Sequence, residues 1–169
     1  MAALVSIPVG VVVDRIKAES QWIDHIWQPT AVLVGQPDAE PWTLLSGDND
    51  RASYYAGSTS IDLYRSDTGN YRDNLLGDSK LWVVLTPSES DPPYSLFMVT
   101  ADPTEGEAQT ETGVNLVETV AMPDAVRAVL ETFVAEHHVE QTFFKRKRDR
   151  ANPEALGRRA RSDQGRDDD

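Results

Sequence analysis

The segment Leu4-Val-Ser-Ile-Pro-Val-Gly-Val-Val-Val-Asp-Arg-Ile16 decides the fold. Its apolar residues alternate, so an extended strand would place them on one face. The residues of that face are Val5, Ile7, Val9, Val11 and Val13. Pro8 cannot donate a hydrogen bond to a neighbouring strand, which predicts an edge position or a bulge. The run lacks a basic leader and a small-residue cleavage site, so we expect a strand rather than an export signal.

Further short strands are predicted downstream, each bounded by turn residues. They cover residues 30–35, 42–46, 52–56, 59–65, 81–86 and 94–100. Gly57-Ser58 is predicted as a turn between the third and fourth of these strands. The last two strands are predicted to form a hairpin, since only a Ser-, Asp- and Pro-rich connection separates them.

Three helices are predicted. The first covers residues 70–76 before Gly77, and the second starts at Asp102-Pro103 and ends by Gly113. The third runs from Pro123 to His138, where apolar residues recur with helical spacing and indicate one buried face. Many short strands with a strong helix near the end favour the α+β class. We expect an antiparallel, strongly bent sheet or partly open barrel, covered by the C-terminal helix.

Charge is distributed unevenly along this chain of 169 residues, whose net charge is −12. Residues 1–144 hold 7 Lys and Arg against 22 Asp and Glu, a net charge of −15. Residues 145–161 hold 8 basic and 2 acidic residues, a net charge of +6, and the last eight residues are acidic again. We therefore predict a single domain over residues 1–144 and a flexible, basic then acidic tail over residues 145–169.

The basic run of the tail is predicted to bind an acidic surface on a partner protein. Two alternatives stay open: a nucleic-acid arm, and a terminus that only solubilises the chain or folds back on it. Nucleic acid is unlikely as a partner because the acidic body repels it. The predicted partner-binding residues are Phe143, Phe144, Lys145, Arg146, Lys147, Arg148 and Arg150.

Two other segments are rich in polar or aromatic residues. Tyr71 and Arg72 are predicted as a candidate ligand pocket for an anionic group, and the alternative is a capped turn with a local salt bridge. Trp22 and Trp27 would lie on opposite faces of one strand, and we expect core and rim packing for them. Asp24-His25 between them has no nucleophile tied to it by any motif.

No metal, cofactor or catalytic site is predicted. His137 and His138 are adjacent, and adjacent residues on a helix point about 100° apart, which does not suit one metal ion. The chain has no cysteine, so thiolate metal sites are excluded, and a reducing compartment such as the cytoplasm fits. Glycine-rich phosphate loops are absent from the sequence, as is any run long and apolar enough to span a membrane. We expect a non-enzymatic binding protein.

Five segments carry a resemblance to a known family. They are Ile7-Pro-Val-Gly-Val-Val-Val-Asp-Arg15, Trp27-Gln-Pro-Thr-Ala-Val-Leu33, Asn70-Tyr-Arg-Asp-Asn-Leu75, Thr100-Ala-Asp-Pro-Thr-Glu-Gly-Glu-Ala108 and Phe143-Phe-Lys-Arg-Lys-Arg-Asp-Arg150. Together they resemble uncharacterised bacterial proteins that are often encoded near molybdenum-dependent formate dehydrogenase genes. Some members are labelled molybdopterin-guanine dinucleotide biosynthesis proteins. The resemblance implies a cytoplasmic accessory factor that matures or assembles such a dehydrogenase. An enzyme or carrier that handles a molybdopterin nucleotide is the alternative.

Overall fold

The structure is a computed structural model that describes residues 2–138. The predicted tail and its partner-binding residues, from Phe143 to Arg150, lie outside the described residues. No helix among residues 2–138 is long and apolar enough to cross a membrane.

Seven strands and three α-helices make up the described part of the chain. In order they are β1 (Val5–Lys17), β2 (His25–Val34), β3 (Thr43–Gly47), β4 (Arg51–Leu63), α1 (Thr68–Leu76), β5 (Lys80–Pro87), β6 (Tyr94–Thr100), α2 (Pro103–Glu111), β7 (Leu116–Ala121) and α3 (Asp124–His137). A single turn of 3₁₀ helix, Arg65–Asp67, precedes α1. All strand pairs are antiparallel, in one sheet of order β2-β1-β4-β3 and a second of order β6-β5-β7. The α+β class is confirmed, with the strands divided between two sheets and no closed barrel.

Strand β1 provides the centre of the hydrophobic core. Val9, Val11 and Val13 are completely buried, which confirms the predicted alternation. Pro8 lies where pairing with β2 has ended, because the register with β2 starts at Val9. Its carbonyl accepts a hydrogen bond from the Gly35 N–H at 2.8 Å. The strand is therefore central over most of its length and has only β4 as a paired neighbour at Pro8.

The predicted turn at Gly57-Ser58 is wrong, because β4 continues through it as one strand of 13 residues. Gly57 has a φ of +143°, a backbone conformation that glycine adopts without steric penalty. The register with β1 shifts there, since Val11 lies opposite Gly57 and Val12 opposite Tyr55. One extra residue is thus accommodated as a β-bulge, which bends a strand without ending it.

Helices α2 and α3 have the boundaries that the sequence signals predicted. The Asp102 side chain accepts hydrogen bonds from the N–H groups of Thr104 (2.9 Å) and Glu105 (3.4 Å), so it caps α2. Helix α3 buries Val126, Leu130 and Phe133 against the core. It therefore covers the core as expected, while β7 is a strand that the sequence analysis did not predict.

Candidate functional site

The core face of β1 continues beyond the core into a basic and aromatic surface. Arg15 lies opposite Trp27 of β2, and Lys17 lies opposite His25. Residues directly opposite on neighbouring antiparallel strands project from the same face, and side chains alternate along each strand. Arg15 and Lys17 therefore extend the face that carries Val13, at the end of the sheet where β1 turns into β2.

Three aromatic rings, those of Trp27, Trp42 and Tyr54, form an aromatic cluster on this face. Their ring centroids are 5.8 Å (Trp27–Trp42), 5.9 Å (Trp27–Tyr54) and 6.2 Å (Trp42–Tyr54) apart. The His25 ring packs edge-on to Trp27 with centroids 6.4 Å apart. Such tilted and edge-to-face pairs suit the ring quadrupoles and contribute about 0.5–1.5 kcal/mol each beyond their buried area. The cluster is thus a rigid platform beside the basic side chains.

Trp42 holds an unusual backbone conformation in this cluster. Its φ is +67°, in the left-handed region that a bulky residue rarely adopts. Its indole Nε1 donates to the Tyr94 carbonyl at 3.0 Å, and its backbone N–H donates to the Tyr55 carbonyl. These two hydrogen bonds retain a conformation that costs about 1–3 kcal/mol.

Arg15 is positioned by its contacts with Tyr54 and Asp48. Its Cζ lies 5.6 Å from the centroid of the Tyr54 ring. Its Nη1 donates to Tyr54 Oη at 2.9 Å, and its Nη2 donates to the Asp48 carbonyl at 3.3 Å. Its Nε is buried and has no hydrogen-bond partner within residues 2–138. Because a guanidinium keeps its proton and accepts no hydrogen bonds, the Nε–H is a donor without an acceptor.

A cavity of about 360 Å³ opens beside Arg15; we call it the basic cavity. Its lining residues are Arg15, Lys17, Asp24, His25 and Asn49. It is a depression that is largely open to solvent rather than an enclosed cavity. Two permanent cations and an imidazole here face a single carboxylate, whereas residues 1–144 as a whole carry a net charge of −15. The lining therefore has more basic than acidic side chains, while the adjoining turn holds two further carboxylates, those of Asp48 and Asp50.

The opposite face of the same strand segment carries an ion pair between the buried carboxylate of Asp14 and the exposed side chain of Arg51. Asp14 is 6% exposed, and its Oδ2 accepts from Arg51 Nη2 at 2.7 Å and from Arg51 Nε at 3.0 Å. Its Oδ1 accepts from Ser53 Oγ at 2.6 Å. Arg51 is therefore engaged away from the basic cavity, and this bonding ties β1 to β4 near the site.

The loop between β1 and β2 places two large apolar side chains in water. Trp22 is 85% exposed and Ile23 is 56% exposed; we call this pair the apolar tip. The base of the loop is held by backbone hydrogen bonds from Ala18 to Asp24 (3.1 Å) and from Lys17 to Asp50 (2.8 Å). Asp24 follows Ile23 directly and lines the basic cavity, so the tip and the cavity adjoin.

The packing predicted for the two tryptophans is correct for Trp27 and wrong for Trp22. Trp27 packs against the hydrophobic core, as expected. The prediction treated residues 22–27 as one strand, whereas β2 begins at His25. Trp22 therefore lies in the loop, where strand alternation does not apply.

One comparison with known proteins matches most of the chain. Residues 8–148 match the model of a family described as "Protein of unknown function (DUF3305)". The chain belongs to this family. Comparison with curated proteins and with solved structures found no match. Membership of an uncharacterised family is thus shown, whereas the link to formate dehydrogenase stays a prediction.

The structure of this DUF3305 domain places Tyr71 and Arg72 in different surroundings. Tyr71 is 2% exposed, and its ring packs on Phe133 with centroids 6.0 Å apart. Its Oη accepts from the Tyr64 N–H at 3.0 Å. Burial raises the pKa of Tyr71 well above its ordinary value, and the negative charges of nearby carboxylates raise it further. Arg72 is exposed on the neighbouring position of α1, so the two side chains are not brought together.

Asn74, in the same helix, has a structural role. Its side-chain amide donates to the carbonyls of Lys80 (2.8 Å) and Ala101 (3.0 Å), and its Oδ1 accepts from the Lys80 N–H (2.9 Å). A buried amide that satisfies three hydrogen bonds stabilises its surroundings. The Tyr71–Asn74 segment therefore docks α1 onto the second sheet rather than forming a turn.

His137 ends α3 beside aromatic and acidic neighbours. Its ring lies 4.6 Å from that of Phe133, and its Nε2 lies 4.0 Å from a Glu136 carboxylate oxygen. Within residues 2–138, no group of three or more His, Asp or Glu side chains is arranged to hold a metal ion.

Three residues of the cavity were not predicted from the sequence as site residues: Arg15, Lys17 and His25. A signal for the first two was present, because they continue the alternation of Val9, Val11 and Val13 by two further steps. Extending that face past Val13 would have predicted two cations on one side of the strand. His25 and Asn49 carried no such signal, since they reach the cavity through strand pairing and a turn.

Proposed function

We propose that this protein is a non-catalytic accessory factor that binds a partner protein during maturation of a molybdenum-dependent formate dehydrogenase. The observation that carries the binding role is the exposure of Trp22 (85%) and Ile23 (56%) at the apolar tip. A single exposed apolar residue is ordinary, whereas adjoining large apolar side chains that are exposed together are typical of interaction sites. Tryptophan is also among the residues that dominate binding energy at protein interfaces.

The contribution of the apolar tip to the free energy of binding follows from the apolar area that a partner would bury. Transfer of one large apolar side chain from water into an interface contributes about 1.5–3 kcal/mol. Burial of Trp22 and Ile23 together therefore contributes enough for at least a tenfold change in affinity, because 1.4 kcal/mol corresponds to a factor of ten. The hydrogen-bonded base of the loop reduces the ordering that binding would require.

The identity of the partner class rests on the sequence. The segments quoted above resemble proteins encoded near formate dehydrogenase genes, and the most specific part is Phe143–Arg148, which contains the basic run Lys145–Arg148. The family match extends to Arg148, so this run belongs to the region that the family shares. We propose that the apolar tip supplies apolar contacts and that the basic run pairs with carboxylates of the dehydrogenase.

The test measures binding of the full chain to the purified formate dehydrogenase subunits of the same host, by biolayer interferometry. The double variant Trp22→Ser/Ile23→Ser should weaken the Kd at least tenfold. Leu76→Ser is the matched control, because Leu76 is 72% exposed in α1, away from the tip, and its replacement should change the Kd less than twofold. The quadruple alanine variant of Lys145–Arg148 should weaken binding and make the remaining affinity less sensitive to salt.

Two outcomes would contradict the proposal. No binding of the wild-type chain to any formate dehydrogenase subunit would refute the proposed partner. Equal affinity of the wild-type chain and the tip variant would refute the role of the apolar tip. Thermal melts of all variants identify any loss of binding that comes from unfolding.

The basic cavity favours one alternative, a carrier or enzyme that handles a molybdopterin nucleotide. Its two basic side chains, Arg15 and Lys17, suit an anionic small molecule. A thermal-shift titration with guanine nucleotides and pterins tests this role, because a ligand of the native state raises its Tm. A saturable increase that Lys17→Gln abolishes would favour the carrier over the accessory factor.

A further inference from the structure

The geometry points to the basic cavity as a carboxylate-binding site that receives an acidic side chain from the protein docked on the apolar tip. The source of the carboxylate rests on the proposed function, whereas the site itself rests on the cavity and on Arg15. The partner-binding surface would then consist of the basic cavity and the apolar tip beside it. Recognition would then require a partner segment with an apolar residue next to an Asp or Glu.

The first support is the unused hydrogen-bonding capacity of Arg15. Its Nε has no acceptor, and the neighbouring Nη2 makes only a long contact of 3.3 Å with the Asp48 carbonyl. Nε and Nη2 form one edge of the guanidinium, which matches the two oxygens of a carboxylate. Because Nε is buried, a carboxylate would reach both donors only after the guanidinium rotates away from the Asp48 carbonyl and exposes this edge to the cavity. The Nη1 bond to Tyr54 and the stacking on its ring hold the other side of the guanidinium.

The second support is the charge of the cavity. Arg15 and Lys17 contribute two positive charges and Asp24 one negative charge, so the lining has a net charge of +1 with His25 neutral. This matches a monoanionic carboxylate better than a dianionic phosphate, which would leave an uncompensated charge in an acidic protein. The charge therefore favours a Glu or Asp side chain over a phosphate group.

The third support is the position of the cavity. Asp24 and His25 line it, and they follow Ile23 of the apolar tip without a gap in the chain. A partner that buries Trp22 and Ile23 would thus bring its neighbouring residues over the cavity mouth. Exclusion of water by the apolar contact strengthens a charge pair beside it.

The experiment records the Arg side-chain Nε–Hε signals of the ¹⁵N-labelled full chain by NMR while the probe is added. The probes are hexaglutamate and inorganic phosphate, and Arg15→Lys identifies the Arg15 signal by its loss. We expect the Arg15 signal to shift in a saturable way with hexaglutamate, at a lower probe concentration than with phosphate. Lys17→Gln should weaken the apparent affinity at least fivefold. Arg72→Gln, which removes the same charge from an exposed position on α1, should change it less than twofold.

Three results would overturn the inference. An Arg15 signal that does not move with hexaglutamate shows that the cavity binds no carboxylate. A stronger response to phosphate than to hexaglutamate would reassign the site to a different anion. Equal effects of Lys17→Gln and Arg72→Gln would show a response to net charge alone. None of these results depends on binding to formate dehydrogenase, so failure here and failure of the proposed function are distinguishable.

Discussion

The two halves of β1 belong to one continuous strand that pairs with β4 from Val5 to Ile16, yet they have different surroundings. In Val5–Val13 the inward side chains belong to the hydrophobic core that α3 covers. In Asp14–Lys17 the same face carries Arg15 and Lys17 and borders the aromatic cluster and the basic cavity. Alternation along a strand therefore determines which side chains share a face. The residues packed against that face determine whether its side chains join the hydrophobic core, as in Val5–Val13, or border the basic cavity, as in Asp14–Lys17.

The largest change in the free energy of unfolding is expected from a substitution in the hydrophobic core. Phe133→Ala removes a ring that is 2% exposed and packs on Tyr71, so it should lower the free energy of unfolding by about 3–5 kcal/mol. Urea unfolding followed by circular dichroism measures the change. Trp22→Ala is the control, because this side chain is exposed in the loop between β1 and β2. It should change the free energy of unfolding by less than about 0.5 kcal/mol. A loss of stability from Trp22→Ala as large as that from Phe133→Ala would contradict the division between the two halves.

A close approach of α2 to β5 gives the next largest effect. A Cβ added to Gly106 would overlap the Trp82 ring, so Gly106→Ala should destabilise the fold by about 1–3 kcal/mol through overpacking. Glu107→Ala, at the next and exposed position of the same helix, should leave the Tm nearly unchanged. Thermal melts of the two variants measure the difference between their Tm values. Equal Tm values for the two variants would show that the helix moves away from Trp82 without cost.

Asp14→Ala tests the Asp14–Lys17 half of β1 by removing the ion pair between the buried Asp14 carboxylate and the exposed Arg51. The change leaves Ser53 without its acceptor and releases Arg51, so we expect a loss of about 1–3 kcal/mol in the free energy of unfolding. Asp14→Asn is the matched control, since its amide oxygen can still accept from Ser53. It should cost less than Asp14→Ala in the same urea titration. An alanine variant as stable as the wild type would show that the ion pair contributes nothing to this end of the sheet.

The smallest effect is a stabilisation, expected from Asp67→Asn beside α1. Burial, followed by the negative charge of Asp102, raises the pKa of Asp67 above its ordinary value of 3.8. The folded chain therefore binds the proton more tightly than the unfolded chain does, and the ionised carboxylate costs stability at pH 7. Asparagine removes this cost, so the Tm should increase by about one or two degrees.

The pH dependence provides the check on that variant. The advantage of Asp67→Asn should be complete above the raised folded-state pKa and should disappear as the pH falls through it towards 3.8. Thermal melts of Asp67→Asn and the wild type, recorded from about pH 3.5 to about pH 7, measure this difference in Tm. An advantage that grows as the pH falls would contradict the sign of the shift.

Much of the fold could be predicted because its signals are local. The α2 start at Asp102-Pro103 depends on a side chain that bonds to N–H groups two and three residues ahead, and this pattern is visible in the sequence. The face of α3 follows from the spacing of Val126, Leu130 and Phe133. Strand β7 was missed because Val120 is its only buried residue, so its apolar alternation is weak. The continuity of β4 through Gly57 was missed because a bulge depends on the partner strand.

The candidate site was harder to predict because its residues come from separate parts of the chain. Arg15 and His25 lie in adjacent strands, and Asn49 lies in the turn between β3 and β4. The aromatic cluster likewise joins Trp27, Trp42 and Tyr54 from three segments. No spacing rule along the chain connects these residues, since strand register and turn geometry bring them together.

The sequence by itself determined the α+β class, the inward face of β1, the start of α2, the buried face of α3 and the contrast between an acidic body and a basic terminal run. Each of these depends on residues that are neighbours in the chain or that repeat with a fixed period. Only the tertiary structure decided that Trp22 is exposed, that Tyr71 is buried away from Arg72, and that Arg15 borders a cavity with an unused donor. The physical reason is that burial and hydrogen-bond satisfaction depend on which distant segments pack together.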